Sequence, residues 1–217
     1  REDAMTLCRF LLLLVLLIPS SGSASLIASD FAVPGDGLLT YDDTTGFEWL
    51  DLTVTYQSSY ADVQSQLGSG GAYAGFSIAA ASEVVALFAS GGWTGSTAVP
   101  SPSFSYGDPG HLAEVIAIVT LIGDTHPNPD RVASYGLVSD ALASGNHHYS
   151  ILFSEVSSTT STSSHNNFSW DPNTPFNPGG VFLYRSAVPE PSTALLVGLG
   201  LLGMASRGRR GIDGARG

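Results

Sequence analysis

The pattern of apolar and polar positions gives the chain one apolar segment near each end and many short apolar runs between them. Phe10 to Ile18 is unbroken apolar sequence, and Thr193 to Ala205 is a second run without a charge. Between them, short apolar and aromatic stretches alternate with Gly, Pro, Ser and Asp, which is typical of strands and helices joined by turns. We therefore predict one α+β domain over residues 25–186, in which an antiparallel sheet packs against two or three helices.

The first half of this domain contains a predicted hairpin and two predicted helices. Leu38–Tyr41 and Phe47–Leu50 are strands, and the polar turn formers of 42–46 join them. Ser59 caps a helix that reaches Leu67, and Ser82 caps a second helix that reaches Ala89. A short strand is predicted between the helices, at 76–79.

The segment 108–123 fits two structures. Apolar residues recur at helical spacing after the cap-like pair Asp108-Pro109, but the β-branched residues of 115–122 equally suit a buried strand. Both alternatives stay open at this stage. The remaining predictions are loops at 95–110 and 157–164, irregular chain at 166–180, and strands at 132–138, 149–156 and 181–185.

The predicted core combines the apolar positions of these elements. Its members are Phe47, Trp49, Leu50, Val63, Leu87, Phe88, Ile116, Val119, Leu183 and Tyr184.

Residues 5–24 have the organisation of a secretory signal peptide. Met5 to Arg9 is a short basic region, the apolar run follows, and small residues lead to a predicted cleavage between Ala24 and Ser25. Export would then use the Sec translocon. Because the single cysteine, Cys8, lies within this leader, the mature chain is expected to contain neither thiol nor disulfide.

The C-terminal segment combines a proline-rich pentapeptide, a predicted transmembrane helix at about 193–206 and an arginine cluster. The pentapeptide is Val188, Pro189, Glu190, Pro191 and Ser192, and the cluster contains Arg207, Arg209 and Arg210. Over residues 188–210 this order closely resembles the PEP-CTERM sorting signal of Gram-negative bacteria. The resemblance implies that the helix holds the chain in the membrane until exosortase processes it for surface display or release.

A second resemblance covers the first half of the domain. The pattern Tyr-Asp-x-x-Thr-Gly-Phe-x-Trp-Leu-Asp at 41–51, Ser-Tyr-x-Asp-Val at 59–63 and the segment 83–88 recur among PEP-CTERM ectodomains. The same stretch has a partial likeness to Lcl-type domains, which are similar to C-type lectins and formylglycine-generating enzymes. That likeness implies a ligand-displaying scaffold. The enzymes' activity is not carried over, because it needs cysteines that the mature chain lacks.

The charge of the predicted domain excludes one class of partner. Fifteen Asp and Glu residues face two basic residues, Arg131 and Arg185, and the chain contains no lysine. Such a surface repels phosphate backbones, so we expect no nucleic acid partner.

Several polar residues are candidates for chemistry. Asp42, Asp43, Glu48 and Asp51 could contribute to a Ca²⁺ site or a glycosidase pair, although turn formation and a solvent-facing strand explain them as well. The histidines lack the spacing of metal ligands, so we predict no metal or other cofactor and keep Ca²⁺ as the alternative. These histidines are His111, His126, His147, His148 and His165.

Aromatic residues could stack on sugars if they were exposed, although at these spacings they are more often core. They are Trp49, Trp93, Trp170, Tyr41, Tyr60 and Tyr73.

Two functions therefore remain open. The first is a non-enzymatic surface or extracellular matrix protein, with the domain acting as a structural or carbohydrate-binding scaffold and exopolysaccharide as a partner. The alternative is a secreted polysaccharide hydrolase, which would require the acids of 42–51 to converge with His147 or His165.

Overall fold

The computed structural model describes residues 25–94, 97–101, 108–126, 128–155 and 160–187. The predicted signal peptide, sorting pentapeptide, transmembrane helix and arginine cluster lie outside these ranges. None of the helices in the described part of the chain is long and apolar enough to cross a membrane. The fold below belongs to the first of two compact units, Arg1–Arg185.

Within the described ranges, eleven strands and three α-helices follow one another. The strands are β1 (Leu26–Ser29), β2 (Leu39–Asp42), β3 (Phe47–Leu50), β4 (Ser77–Ile78), β5 (Thr97–Ser101), β6 (Asp108–Pro109), β7 (Arg131–Ala141), β8 (His147–Glu155), β9 (Thr160–Trp170), β10 (Gly180–Val181) and β11 (Leu183–Ser186). The helices are α1 (Tyr60–Ser65), α2 (Ala81–Ser90) and α3 (Leu112–Ile122), with a 3₁₀ helix at Leu52–Thr55.

The α+β class is confirmed, but the strands form two sheets where one was predicted. The first sheet has the order β1-β2-β3-β11-β4, and the second has the order β10-β7-β8-β9-β5, with β6 also paired to β9. The second sheet is mixed, because β10–β7 and β5–β9 are parallel pairs. Leu137 and Val138 are neighbours on β7 and are both fully buried, so this strand is covered on both faces. It therefore does not belong to a sheet that has one face in solvent.

The chain passes from one sheet to the other at Phe182. Its N–H donates to Leu137 O of β7 at 3.1 Å, and its carbonyl accepts the N–H of Ala79 at 2.9 Å. The side chain is 1 % exposed and joins the core between the sheets and helices. One buried residue thus fixes the position of the last strand.

The predicted hairpin is confirmed as β2–β3, with Asp42 opposite Phe47 and Leu39 opposite Leu50. Asp42 Oδ1 accepts the N–H groups of Thr44 and Thr45 at 2.9 and 3.3 Å. A side chain that bonds its own turn in this way explains why the polar segment reverses the chain here.

The two helices predicted in the first half are confirmed with different bounds: α1 ends at Ser65 and not at Leu67, and α2 runs from Ala81 to Ser90. Ser59 caps α1 by accepting the N–H of Asp62 at 3.0 Å. The predicted Ser82 cap of α2 is wrong, since the helix starts at Ala81, whose N–H donates to Asp140 of β7 at 2.6 Å. The segment after Gly110 is helix α3, whereas Asp108-Pro109 pairs with β9 and does not start that helix.

Two predicted loops contain strands. β9 starts at Thr160, inside the Ser/Thr run, and β5 occupies part of 95–110. Threonine favours extended structure, and pairing with β8 along most of β9 outweighs the lack of apolar residues.

Seven of the ten predicted core residues are buried, and Phe47 and Tyr184 are half-buried against them. Ile116 is the exception, with 40 % of its surface exposed. On α3 the buried positions are Val115, Ile118, Val119 and Ile122. Ile116 lies about 100° around the helix from Val115 and faces away from the sheets.

Two carboxylates shape the loop between β1 and β2. Asp36 accepts the N–H groups of Phe31, Ala32 and Val33 at 2.8 Å and that of Leu38 at 3.1 Å. Asp30 accepts those of Gly35 and Gly37 at 2.8 and 3.0 Å. These bonds stabilise the ionised form, the one from Phe31 most strongly, and hold the pKa of Asp36 well below its usual range.

The Asp36→Asn variant is expected to loosen this loop. Because the pKa is lower in the folded state, the carboxylate's contribution is complete above the ordinary value of about 4 and is lost as the pH falls toward the folded value. The amide NMR signal of Val33 should report protonation of Asp36 in the parent but not in the variant. Asp130→Asn, at an exposed position, is the control; an unchanged Val33 titration in Asp36→Asn would contradict the assignment.

Candidate functional site

The acids predicted for a hydrolase or Ca²⁺ site lie at different places on the hairpin. Asp42 is at its turn, whereas Asp51 is at the open end, where its N–H donates to Leu38 O at 2.9 Å. Asp42 lies four positions after Leu38, a distance of about 13 Å along a strand. Asp42 is fully buried, with its Oδ2 lacking a hydrogen-bond partner, so a substrate in solution cannot reach it.

Each of the other three acids has a local partner. Glu48 forms an ion pair with Arg185 at 2.7 Å. Asp51 caps the 3₁₀ helix by accepting the N–H of Thr53 at 2.8 Å. Asp43 Oδ1 accepts the N–H of Ser25 at 2.8 Å, so cleavage after Ala24 would place the new α-amino group against this carboxylate. The four acids therefore form no common site, and each stabilises a different part of the fold.

Of the histidines that the structure describes, His147 and His148 are neighbours on β8, whereas His111 and His126 flank α3. His147 stacks on Tyr60 with ring centroids 3.6 Å apart, and its Nδ1 lies 3.1 Å from Val138 O. Burial lowers the pKa of His147, although backbone hydrogen bonds and Asp140 oppose this. His111 pairs with Glu114 at 2.8 Å, as its spacing on a helix predicts. The side chain of His165 lies outside the described part of the structure.

Within the described ranges, no three His, Cys, Asp or Glu side chains converge in a way that could hold a metal ion. Both the expected absence of a cofactor and the Ca²⁺ alternative stay predictions.

The aromatic candidates for sugar stacking are largely core residues. Trp49, Trp93 and Tyr60 are 2 %, 5 % and 6 % exposed. Trp170 is half-buried and donates Nε1–H to Thr174 O at 2.9 Å. Tyr56 is more exposed than these side chains, at 38 %, and it was not among the predicted residues.

Tyr56 lines an open cleft of about 240 Å³ together with Thr53, Asp124 and Thr125. Thr53 and Tyr56 come from the 3₁₀ helix and the position after it, whereas Asp124 and Thr125 follow α3. Their side chains bring together an aromatic ring, a carboxylate and hydroxyl groups. We call this the Tyr56 cleft.

Hydrogen bonds within the protein hold some polar groups of the Tyr56 cleft and leave others open; Thr53, for example, donates its hydroxyl to Asp51 Oδ1. Asp124 Oδ1 accepts the N–H groups of His126 and Ala133 at 2.9 and 3.3 Å. Thr125 Oγ1 accepts the N–H of Tyr135 at 2.9 Å. No described residue hydrogen-bonds Asp124 Oδ2 or the Tyr56 hydroxyl, so both can still bond a ligand.

Backbone geometry fixes the two sides of the cleft. Gln57 has φ +59°, a left-handed conformation that is costly for a non-glycine residue, and its N–H donates to Gly179 O at 2.9 Å. Gly123, with φ +99°, turns the chain sharply after α3 and lies directly against Asp51. The cap of the 3₁₀ helix and the end of α3 therefore meet beside Thr53 and Asp124.

Sequence reasoning missed this cleft because its two sides are about seventy residues apart in the chain. One local signal was available: Tyr56 is an aromatic residue between Thr55 and the polar run Gln57-Ser58-Ser59. The polar run predicts a surface loop after Tyr56, which would leave this ring accessible. Asp124 follows a helix-ending glycine and carries no comparable signal.

Comparison with known proteins identifies the C-terminal segment. Residues 187–210 match the model of the PEP-CTERM protein-sorting motif. No significant match was found among curated proteins or among solved structures, and the likeness to lectin-like domains stays a prediction. The chain thus carries a PEP-CTERM sorting signal, is processed by exosortase, and is exported across the inner membrane to the cell surface or extracellular space.

Proposed function

We propose that the exported domain is a non-enzymatic scaffold of the cell surface or extracellular matrix that associates with exopolysaccharide. The observation that carries this proposal is the separation of the predicted catalytic acids. Asp42 and Asp51 lie at opposite ends of a hairpin, and each acid of this group bonds its own surroundings. A glycosidase needs two carboxylates facing one another across a substrate, about 5–9.5 Å apart.

The excess of acidic residues supports an extracellular role without catalysis. A chain of this charge remains soluble outside the membrane and resists association with anionic lipid. The membrane helix of the sorting signal would hold the chain only until processing.

We expect the processed protein to co-fractionate with the polysaccharide matrix when the full chain is expressed in an exosortase-bearing host. Glycosidase treatment of the matrix should release it, because retention depends on the polysaccharide. Immunoblots of the matrix and of the clarified medium, before and after treatment, measure this. Replacement of Pro189, Glu190 and Pro191 by alanine is the control for sorting.

Two results would overturn the proposal. One is a processed protein found entirely in the medium. The other is release of reducing ends from the matrix by the recovered protein, abolished by Asp51→Ala with an unchanged circular dichroism spectrum. The second result would establish the hydrolase.

A further inference from the structure

We propose that the Tyr56 cleft binds a neutral hexose unit of the polysaccharide, a proposal that rests on the scaffold function above. The cleft measures about 240 Å³. Drug-sized ligands occupy about 300–1,000 Å³, so this space suits a single sugar ring or a chain end.

The chemistry of the lining suits a sugar. Tyr56 exposes 38 % of its surface, and its ring offers an apolar face to the C–H groups of a pyranose. The free Oδ2 of Asp124 accepts a hydrogen bond from a sugar hydroxyl, and a bond to a charged acceptor is stronger than one between neutral groups. The Tyr56 hydroxyl supplies a further hydrogen-bond donor from the other side of the cleft.

The cleft is prepared before a ligand arrives. Asp124 Oδ1 is fixed by two backbone N–H groups, and the backbone next to Tyr56 is tied to Gly179. A site ordered in advance loses little conformational entropy on binding. Gln57 retains its left-handed conformation at this point, and strain of this kind is often found at binding sites.

Charge selects among polysaccharides. Asp124 lines the cleft and Asp51 lies behind Thr53, whereas the domain segment 25–186 contains two arginines against fifteen acids. A uronate or sulfated sugar would meet repulsion both in the cleft and during approach. The ligand is therefore a neutral glycan.

The experiment uses processed protein recovered from the host that expresses the full chain. Its affinity is measured calorimetrically for laminarin, a neutral β-glucan, and for polygalacturonate, an anionic polyuronate. We expect binding to laminarin that Tyr56→Ala and Asp124→Asn each weaken by about tenfold or more. Asparagine retains an oxygen for the N–H groups of His126 and Ala133, so the second variant tests the ligand contact with the loop intact.

Ile116→Ala is the matched control, because Ile116 has a similar exposure on α3 and does not line the cleft. It should leave the affinity unchanged. Binding to laminarin that neither cleft variant weakens would overturn this site. Absence of laminarin binding, or tighter binding to polygalacturonate, would overturn the ligand class. Matrix retention of the parent tests the scaffold function separately, so these failures are distinguishable from failure of that proposal.

Discussion

The Ile118→Ala variant should lower the free energy of unfolding by about 2–5 kcal/mol, the usual cost of a large-to-small change in a core. Ile118 is 1 % exposed and lies in the cluster that packs α3 against α2 and the sheets. It lies so close to Gly91 that a Cβ added there would come within 2.5 Å of Ile118 Cγ1. Gly91 supplies no side chain to fill the cavity left by alanine, and a shift of Leu26, which also lies against Gly91, would fill it only in part.

Ile116→Ala is the matched comparison, with the same substitution on the same helix two residues away. Ile116 is 40 % exposed, so its loss should cost about 1 kcal/mol or less. Chemical denaturation of both variants measures the difference. Equal losses of stability would contradict the burial of Ile118 and the exposure of Ile116, and would mean that α3 presents a different face to the sheets.

This pair also marks the limit of sequence reasoning for α3. A helix was one of the two alternatives for this segment, and since both Val115 and Ile116 are apolar, the helical pattern allows either to face inward. The sheets decide, because they cover the face formed by Val115, Ile118 and Ile122. The periodicity of apolar residues indicates a helix, and tertiary packing decides which face of that helix is buried.

The strands show a related limit. The β2–β3 hairpin was predicted because its turn chemistry is local, with Asp42 bonding residues two and three positions ahead. β9 was missed because its stability comes from pairing with β8, which no short window of sequence contains.

The cap of α2 and the candidate site also depend on contacts between residues that are distant in the sequence. Asp140, fifty-nine residues away, caps the helix in place of the predicted Ser82. The Tyr56 cleft likewise joins the 3₁₀ helix at Leu52–Thr55 to the end of α3. Both depend on contacts that arise only when the sheets and helices assemble.

The Gly123→Ala variant should lose about 2–4 kcal/mol of stability, through two separable effects. Gly123 has φ +99°, which an L-residue adopts at a cost of about 1–3 kcal/mol. In addition, its Cβ would lie 2.4 Å from Asp51 Oδ1 and 3.0 Å from Leu52 N, so the cap of the 3₁₀ helix must move. Denaturation midpoints with an unchanged slope would report the loss.

Gly145→Ala separates the two effects, because Gly145 has φ +86° but no atom within 4 Å of an added Cβ. It carries the backbone strain alone, and the excess loss in Gly123→Ala measures the collision with Asp51. If the two variants lost the same stability, Asp51 would not lie against Gly123.

Displacement of Asp51 should also move Thr53 relative to Asp124, because Asp51 caps the 3₁₀ helix that forms one side of the Tyr56 cleft. Gly123→Ala should therefore weaken laminarin binding although it removes no ligand contact, whereas Gly145→Ala should not.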